Sequence, residues 1–160
     1  MDEIASNRHA WGTLAEDHYR HYKERIERGE NRLNMHIREE LGDLAGKRVA
    51  HLQCNVGFDT LALAENAARV TGVDLAPENV RCAQRLGIGN VEFVEADVCD
   101  LPASLNGRFD VAFTSEGVLG WLPDLNAWAR GVRRLLVDGG FLYVFDSHPF
   151  YLAFDEDKLG

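Results

Sequence analysis

The chain has little that would suit it to nucleic acid or to a disulfide scaffold. Its 160 residues include 17 Lys and Arg against 26 Asp and Glu, a formal net charge of −9, so we expect no polymeric nucleic-acid partner. The three cysteines, Cys54, Cys82 and Cys99, are odd in number and show no metal or redox spacing. This cysteine usage favours a reducing, cytoplasmic environment.

Long hydrophobic runs are also missing. The first residues, Met1-Asp2-Glu3-Ile4, are acidic and resemble no signal region, and no apolar run approaches the length of a membrane span. We therefore expect no membrane partner and a cytoplasmic location. A hydrophobic content of 46% and a charged content of 27% are ordinary for a globular protein, and the length fits one domain over residues 1–160.

Glycine is scarce where a dinucleotide-binding loop would need it. After the first apolar run, the segment 53–57 reads Q-C-N-V-G, with one glycine in place of the three of G-x-G-x-x-G. Side chains at Gln53 and Asn55 would crowd a pyrophosphate, whereas a smaller, cationic ligand fits better. Asp74, at the end of the second apolar run, is suited to accept two hydrogen bonds from ribose hydroxyls. The pattern indicates an adenosine-containing cofactor and disfavours a nicotinamide-dependent oxidoreductase.

Strand and helix patterns alternate from residue 47 onward. The predicted strands are short and nearly continuously apolar; they are 48–53, 69–73, 91–94, 109–114 and 141–145. Such strands, separated by helices, predict an α/β, Rossmann-like, doubly wound and mainly parallel sheet. Ligands of such sheets lie beyond the carboxyl ends of the strands. The residues to inspect are therefore Gly57, Asp74, Asp97, Ser115, Glu116 and residues 146–148.

Helix signals fill the rest of the chain. Apolar residues at helical spacing predict one helix over residues 7–28, ended by Gly29, and a second over residues 31–41, followed by Gly42.

Two more helices are expected inside the alternating region. Pro77 opens one that runs to about Leu86, and Asp124 caps another whose apolar face ends at Leu136. The residues 138–140 should then turn the chain into the last strand.

Five motifs in order carry a family resemblance. They are His51-Leu52-Gln53-Cys54 with Gly57 and Asp59-Thr60-Leu61; Thr71-Gly72-Val73-Asp74; Glu95-Ala96-Asp97-Val98; Phe109-Asp110-Val111-Ala112-Phe113-Thr114-Ser115; and Leu135-Leu136-Val137-Asp138-Gly139-Gly140. Together they resemble class I S-adenosylmethionine-dependent methyltransferases, in the bacterial branch whose first motif runs H-L-Q-C-x-x-G-x-D-T-L. The resemblance covers about residues 7–154. It implies S-adenosyl-L-methionine as cofactor and methyl transfer to an oxygen or nitrogen of a small molecule.

The resemblance also implies which residues hold the cofactor. Asp74 would bind the ribose, Leu75 would lie beside the adenine, and Asp97 with the Val98 backbone would contact the adenine edge. The other expected cofactor-binding residues come from the first loop and helix and from the fourth strand: Gln53, Asn55, Gly57, Thr60 and Ser115. Trp11, Tyr19 and Tyr22 either flank the sulfonium, since aromatic faces attract cations, or pack their helix onto the sheet.

Two residues are candidates for catalysis. His148 follows the fifth predicted strand, and Glu116 follows the fourth. Either side chain is a candidate general base, and Glu116 is also a candidate ligand for a substrate ammonium. The alternatives are a His-Pro turn element and an exposed loop acid. The histidines His9, His18, His21 and His36 are scattered, and we expect no metal site.

The chain departs from the family pattern in three places. The family often has an acid where His51 stands, and that acid helps to hold the methionine ammonium; an aromatic residue is expected at the position of Glu116. The family sheet has seven strands, whereas five are predicted here. We therefore expect a helical lid over residues 1–45 and an α/β core over residues 46–160 that is C-terminally truncated or unusually short.

The missing strands leave two matters open. An uncovered strand edge invites pairing, so a homodimer is one expectation. The alternative reading of function is a non-catalytic S-adenosylmethionine-binding module or an inactive partner subunit.

Overall fold

The alternation of apolar strands and helices produces one five-stranded parallel sheet. A computed structural model describes residues 2–87, 89–148 and 150. The strands are β1 (Arg48–Leu52), β2 (Arg69–Asp74), β3 (Val91–Glu95), β4 (Phe109–Ser115) and β5 (Leu136–Phe145). Their order in the sheet is β3-β2-β1-β4-β5, and every neighbouring pair is parallel.

Within the described residues, five α-helices accompany the sheet. They are α1 (Glu3–Glu27), α2 (Met35–Leu41), α3 (Phe58–Ala64), α4 (Pro77–Gln84) and α5 (Leu125–Leu135), and short 3-10 helices cover Ala103–Leu105 and Leu119–Trp121. No helix in the described part of the chain combines the length and hydropathy needed to cross a bilayer.

Side chains alternate across β1 and divide the core into two layers. Ala50 and Leu52 pack in one cluster with Trp128 and Leu135 of α5. Val49 packs in the other cluster, whose helical members come from α2 and α3 and are Ile37, Leu41, Leu63 and Ala64. Helices on both faces of a parallel sheet confirm the predicted doubly wound α/β fold.

The two helices within residues 1–45 lie in different places. Helix α2 belongs to the core, while α1 packs on α4, where Ala15 and Tyr19 contact Val56 and Cys82. The Glu78 side chain lies over Gly12, where an added Cβ would be 2.6 Å from its Oε2. The role of this segment as a lid stays a prediction.

Both N-terminal helices begin at other residues than predicted, directly after a capping side chain. Helix α1 begins at Glu3 rather than residue 7, because the Asp2 carboxylate accepts a hydrogen bond from the N–H of Ala5 at 3.3 Å. Helix α2 begins at Met35 rather than residue 31, because Oδ1 of Asn34 accepts from the N–H of His36 at 2.9 Å. The prediction of helix for residues 31–34 was wrong.

The last strand begins five residues before its predicted start. Leu136 already pairs with Phe109 of β4, and pairing resumes at Phe141 opposite Val111 after an irregularity. Gly139 has φ +81°, so the expected turn is a local distortion inside the strand. Residues 151–160 and Pro149, which follow this strand and end the His-Pro pair, lie outside the described residues.

The Phe93 ring leaves no room for a side chain at two glycines in or beneath the first loop (residues 53–57). A Cβ at Gly72, its neighbour across β2 and β3, would lie 2.6 Å from Cδ1 of Phe93 and 3.0 Å from Sγ of Cys54. A Cβ at Gly57, where φ is +84°, would lie 2.9 Å from Cζ of the same ring. The first loop can therefore pack this closely on Phe93 only because Gly57 and Gly72 have no side chains.

His51 is a neutral core residue. Its side chain is 3% exposed, and its Nδ1 lies 2.8 Å from Oγ1 of Thr60 in α3. Burial lowers the pKa of His51 from 6.5 to about 3, since the charged ring would lose its hydration. The imidazole therefore joins β1 to α3 and carries no charge at neutral pH.

We predict that Gly72→Ala destabilises the fold. The added methyl group must displace Phe93 or Cys54, and overpacking of this kind costs about 1–3 kcal/mol. Urea unfolding measures the loss. Gly89→Ala is the matched control, because a Cβ there has no atom within 4 Å. Equal stability of the two variants would contradict the packing argument.

We also predict that His51 makes the fold acid-sensitive. The pKa of the unfolded residue is near 6.5 and that of the folded residue about 3, so the stability it contributes is present above pH 6.5 and lost as the pH falls. Between pH 7 and pH 5 the wild type should lose about 2 kcal/mol more unfolding free energy than His51→Gln. Parallel urea titrations at both pH values test this, and identical losses would place a charged histidine in the core.

Candidate functional site

A cavity of about 670 Å³ opens at the carboxyl edge of the sheet, beneath α1. This edge is the topological switch point, where β1 and β4 are neighbours and the chain leaves them towards opposite sides of the sheet. Nine of the predicted site residues line the cavity: Trp11, Gln53, Asn55, Asp74, Leu75, Asp97, Val98, Ser115 and Glu116. Its volume suits a small-molecule ligand.

Two residues of the first loop other than glycine adopt backbone conformations that glycine usually adopts. Gln53 and Asn55 adopt left-handed backbone conformations, with φ of +54° and +50°. The Asn55 side chain compensates part of the cost, because its Oδ1 accepts from the N–H of Val56 at 2.7 Å. Nε2 of Gln53 donates to the Val118 carbonyl at 3.3 Å and so connects the loops after β1 and β4.

Asp74 ties the first loop to the end of β2. Its Oδ2 accepts from the N–H of Asn55 at 2.8 Å, and its Oδ1 accepts from the N–H of Ala76 at 2.9 Å and from Nδ2 of Asn79 at 3.0 Å. Burial raises the pKa of Asp74, and these donors oppose the rise. A carboxylate has about four acceptor positions, two on each oxygen. Oδ1 already accepts two hydrogen bonds and Oδ2 accepts one, so the open acceptor position is on Oδ2.

One end of the cavity is mainly apolar. Leu75 and Val98 line it together with the indoles of Trp11 and Trp121, whose ring centroids are 5.1 Å apart in an edge-on arrangement. Asp97 stands at its edge, and its Oδ1 accepts from the N–H of Cys99 at 2.8 Å. This end of the cavity can hold a flat ring, and the Asp97 carboxylate can accept a hydrogen bond from the edge of that ring.

The other end of the cavity is charged. Ser115 donates its hydroxyl to Oδ2 of Asp59 at 2.9 Å, and burial raises the pKa of Asp59. Glu116 follows with φ +67°, and its pKa is raised first by burial and then by Asp59. The guanidinium of Arg25 lies 4.6 Å from the centroid of the Phe58 ring in the same wall.

Four of the predicted site residues do not line the cavity. Gly57 packs against Phe93, and Oγ1 of Thr60 lies within hydrogen-bond distance of Nδ1 of His51. Tyr19 is buried, and the Arg85 guanidinium lies 4.0 Å from its ring centroid.

His148, the fourth, is exposed beyond β5, and its Nδ1 accepts from the N–H of Phe150 at 3.2 Å. Direct roles for all four in binding or catalysis stay predictions.

Sequence reasoning gave no role to many of the lining residues, among them Asn7, His18, Asp59 and Trp121. A signal existed for three of these four. Asn7 and His18 share a helical face with Trp11, Tyr22 and Arg25, and Asp59 belongs to a quoted motif without having been given a role. Nδ1 of His18 lies 3.3 Å from Oδ1 of Asn55, so α1 contacts the first loop. Across the described ranges, no group of three His, Cys, Asp or Glu side chains could hold a metal ion.

Known proteins share this arrangement. A family model described as a methyltransferase domain matches residues 50–144. A ubiquinone biosynthesis O-methyltransferase of Xanthomonas oryzae pv. oryzae is 39% identical over 105 residues, which are 64% of this chain and 44% of that protein. An uncharacterised methyltransferase of Synechocystis is 31% identical over 75% of this chain and 56% of its own length. The matched part of the chain thus spans about half the length of these curated relatives.

Solved structures agree with the sequence matches. A DhpI–SAH complex superposes with a TM-score of 0.69 and 26% identity over 88% of this chain and 67% of that chain. An S-adenosylmethionine-dependent methyltransferase of Mesorhizobium loti gives 0.65 and 29% identity over 74% and 55%. The family match covers more than half of the chain, from the middle of β1 into β5. The chain therefore belongs to the methyltransferase domain family.

Proposed function

We propose that the cavity binds S-adenosyl-L-methionine and that the protein transfers its methyl group to an oxygen or nitrogen of a small molecule. The observation that carries the proposal is the polarity of the cavity. An apolar slot lies beyond β2 and β3, a buried carboxylate lies between, and a charged end lies beyond β1 and β4. Adenine, ribose and a zwitterionic amino acid follow in that order along the cofactor.

The residues present fit that molecule. Leu75, Val98 and Trp121 would cover the adenine, and the carboxylate of Asp97 would meet its edge. Asp74 would accept one ribose hydroxyl at Oδ2 rather than the two expected from its position, because the protein already occupies much of its acceptor capacity. The 26% identical DhpI structure contains SAH, which supports this choice of ligand.

The chain's own contribution to methyl transfer is positioning and the exclusion of water. Bound S-adenosylmethionine supplies a methyl group activated by a sulfonium. Helix α1 covers the cavity and is held by Nδ2 of Asn7, which donates to the Trp121 carbonyl at 2.9 Å, and by His18 against Asn55. Holding a nucleophile in line with a methyl group lowers the barrier by removing rotational and translational freedom in advance.

Glu116 is the better placed of the two candidate catalytic residues. It lines the charged end, and its raised pKa brings it nearer to the range in which a carboxylate takes up a proton at neutral pH. Its φ of +67° is a strained conformation of the kind that gathers at functional sites. We propose that it accepts a proton from the methyl acceptor or binds an ammonium of it.

The acceptor and the setting are further parts of the proposal. Relatives named for O-methylation favour an oxygen acceptor on a small molecule rather than a polymer, and the net charge of −9 agrees with that choice. A cytoplasmic location is supported by three free cysteines. A homodimer stays a prediction.

Asp74→Ala should weaken cofactor binding. Loss of a hydrogen bond to a charged group costs about 1.5–3 kcal/mol, which corresponds to a dissociation constant for S-adenosylhomocysteine raised about 10- to 100-fold. Titration calorimetry measures it, with Asp100→Ala, an exposed acid outside the cavity, as the control. Because Asp74 also holds the first loop, thermal melting of both variants accompanies the titration. Unchanged affinity in a folded Asp74→Ala protein would contradict the assignment.

Glu116→Gln should slow transfer without loss of cofactor binding. Radiolabelled S-adenosylmethionine, incubated with cell extract, should label a small-molecule product with the wild type and at least about tenfold more slowly with the variant. Glu65→Gln, an exposed acid after α3, is the control. Equal rates in all three proteins would remove Glu116 from the reaction. Cofactor binding without any transfer by the wild type would instead favour a non-catalytic binding module.

A further inference from the structure

Asp59 is a partly buried carboxylate, and no cation in the described part of the chain contacts it. It lies in the first turn of α3 and lines the charged end of the cavity. The Ser115 hydroxyl donates to its Oδ2 at 2.9 Å, which leaves Oδ1 and part of Oδ2 open. Among the described residues, no Lys, Arg or His nitrogen lies within 4.0 Å of this carboxylate; the nearby Arg25 guanidinium is placed over Phe58 instead.

A partly buried carboxylate without a cation in contact is costly. The charge of Arg25 acts on Asp59 from a distance, and a cationic ligand in contact would reduce the cost further. The neighbouring residue of β1 cannot supply a charge here, because His51 is 3% exposed, neutral and bonded to Thr60.

The cavity determines which cation can arrive. With adenosine over Leu75, Asp74 and Asp97, the rest of the molecule must pass the first loop and end beside Asp59 and Ser115. Arg25 lies near Asp59 at this end and Arg32 also lines the cavity, so the two signs of charge needed by an α-amino acid are both present.

We propose that Asp59, oriented by Ser115, binds the α-ammonium of the amino-acid part of the cofactor, an inference that rests on the proposed function. The anionic anchor of this cavity is thus supplied by the first turn of α3 and not by the end of β1. Glu116 is more exposed than Asp59 and is left to the methyl acceptor.

Two probes that differ only at the relevant end test the assignment. S-adenosylhomocysteine carries the amino-acid group, and 5′-methylthioadenosine lacks it. Asp59→Asn keeps an acceptor for Ser115 but loses the charge, so it should bind S-adenosylhomocysteine about tenfold more weakly or worse. Its affinity for 5′-methylthioadenosine should stay within about twofold, because that ligand makes no charge-assisted contact there. Asp97→Asn is the matched control at the opposite end and should weaken both probes.

Calorimetry with both probes on the wild type and on three variants, Asp59→Asn, Asp97→Asn and Glu116→Gln, separates the outcomes. A selective loss of S-adenosylhomocysteine in Asp59→Asn, with an unchanged melting temperature, supports the proposal. Equal effects on both probes, no effect, or a selective loss in Glu116→Gln instead would overturn it while leaving the proposed function intact. A wild type that binds neither probe would end the proposed function and this inference together.

Discussion

The cavity depends on the carboxylate of Asp74. Its hydrogen bonds to Asn55, Ala76 and Asn79 join the first loop, the turn after β2 and the start of α4 into one rim. Removal of a buried acceptor with three donors leaves those donors unsatisfied, which costs more than any single bond contributes. The same oxygen atoms face the cavity, so one group both builds the site and presents an acceptor to its ligand.

The first loop shows that a backbone path can persist when the residues that usually permit it are absent. Gln53 and Asn55 accept left-handed conformations because each gains a hydrogen bond, one to the Val118 carbonyl and one to the N–H of Val56. Glycine is kept at Gly57 and Gly72, where the Phe93 ring leaves no room for a Cβ. Other residues can therefore replace glycine where the loop needs only a left-handed backbone. They cannot replace it at Gly57 and Gly72, where an added Cβ would clash with Phe93.

Local patterns in the sequence sufficed for four of the five described strands, and together with the family resemblance they gave nine of the residues that line the cavity. Apolar runs placed the first four strands within one residue at either end, because burial on both faces produces an uninterrupted signal. The fifth strand was misjudged because Leu136 reads as the end of a helical face, and only pairing with Phe109 makes it extended. Residues of α1 such as His18 depend on how that helix packs on α4, and no local pattern specifies that docking.

The acids that line the cavity are the groups whose charge the fold supports least well on its own. Burial raises the pKa of Asp59, Asp74 and Glu116, so each of these carboxylates would be more stable in water than where it lies. A ligand that brings one hydroxyl to Asp74 and a positive group to Asp59 compensates these two carboxylates. Such a ligand binds the folded state alone and therefore stabilises it in proportion to its affinity. The cost of the buried acids in the free protein and the selectivity for a ligand that is apolar at one end and charged at the other have the same physical origin.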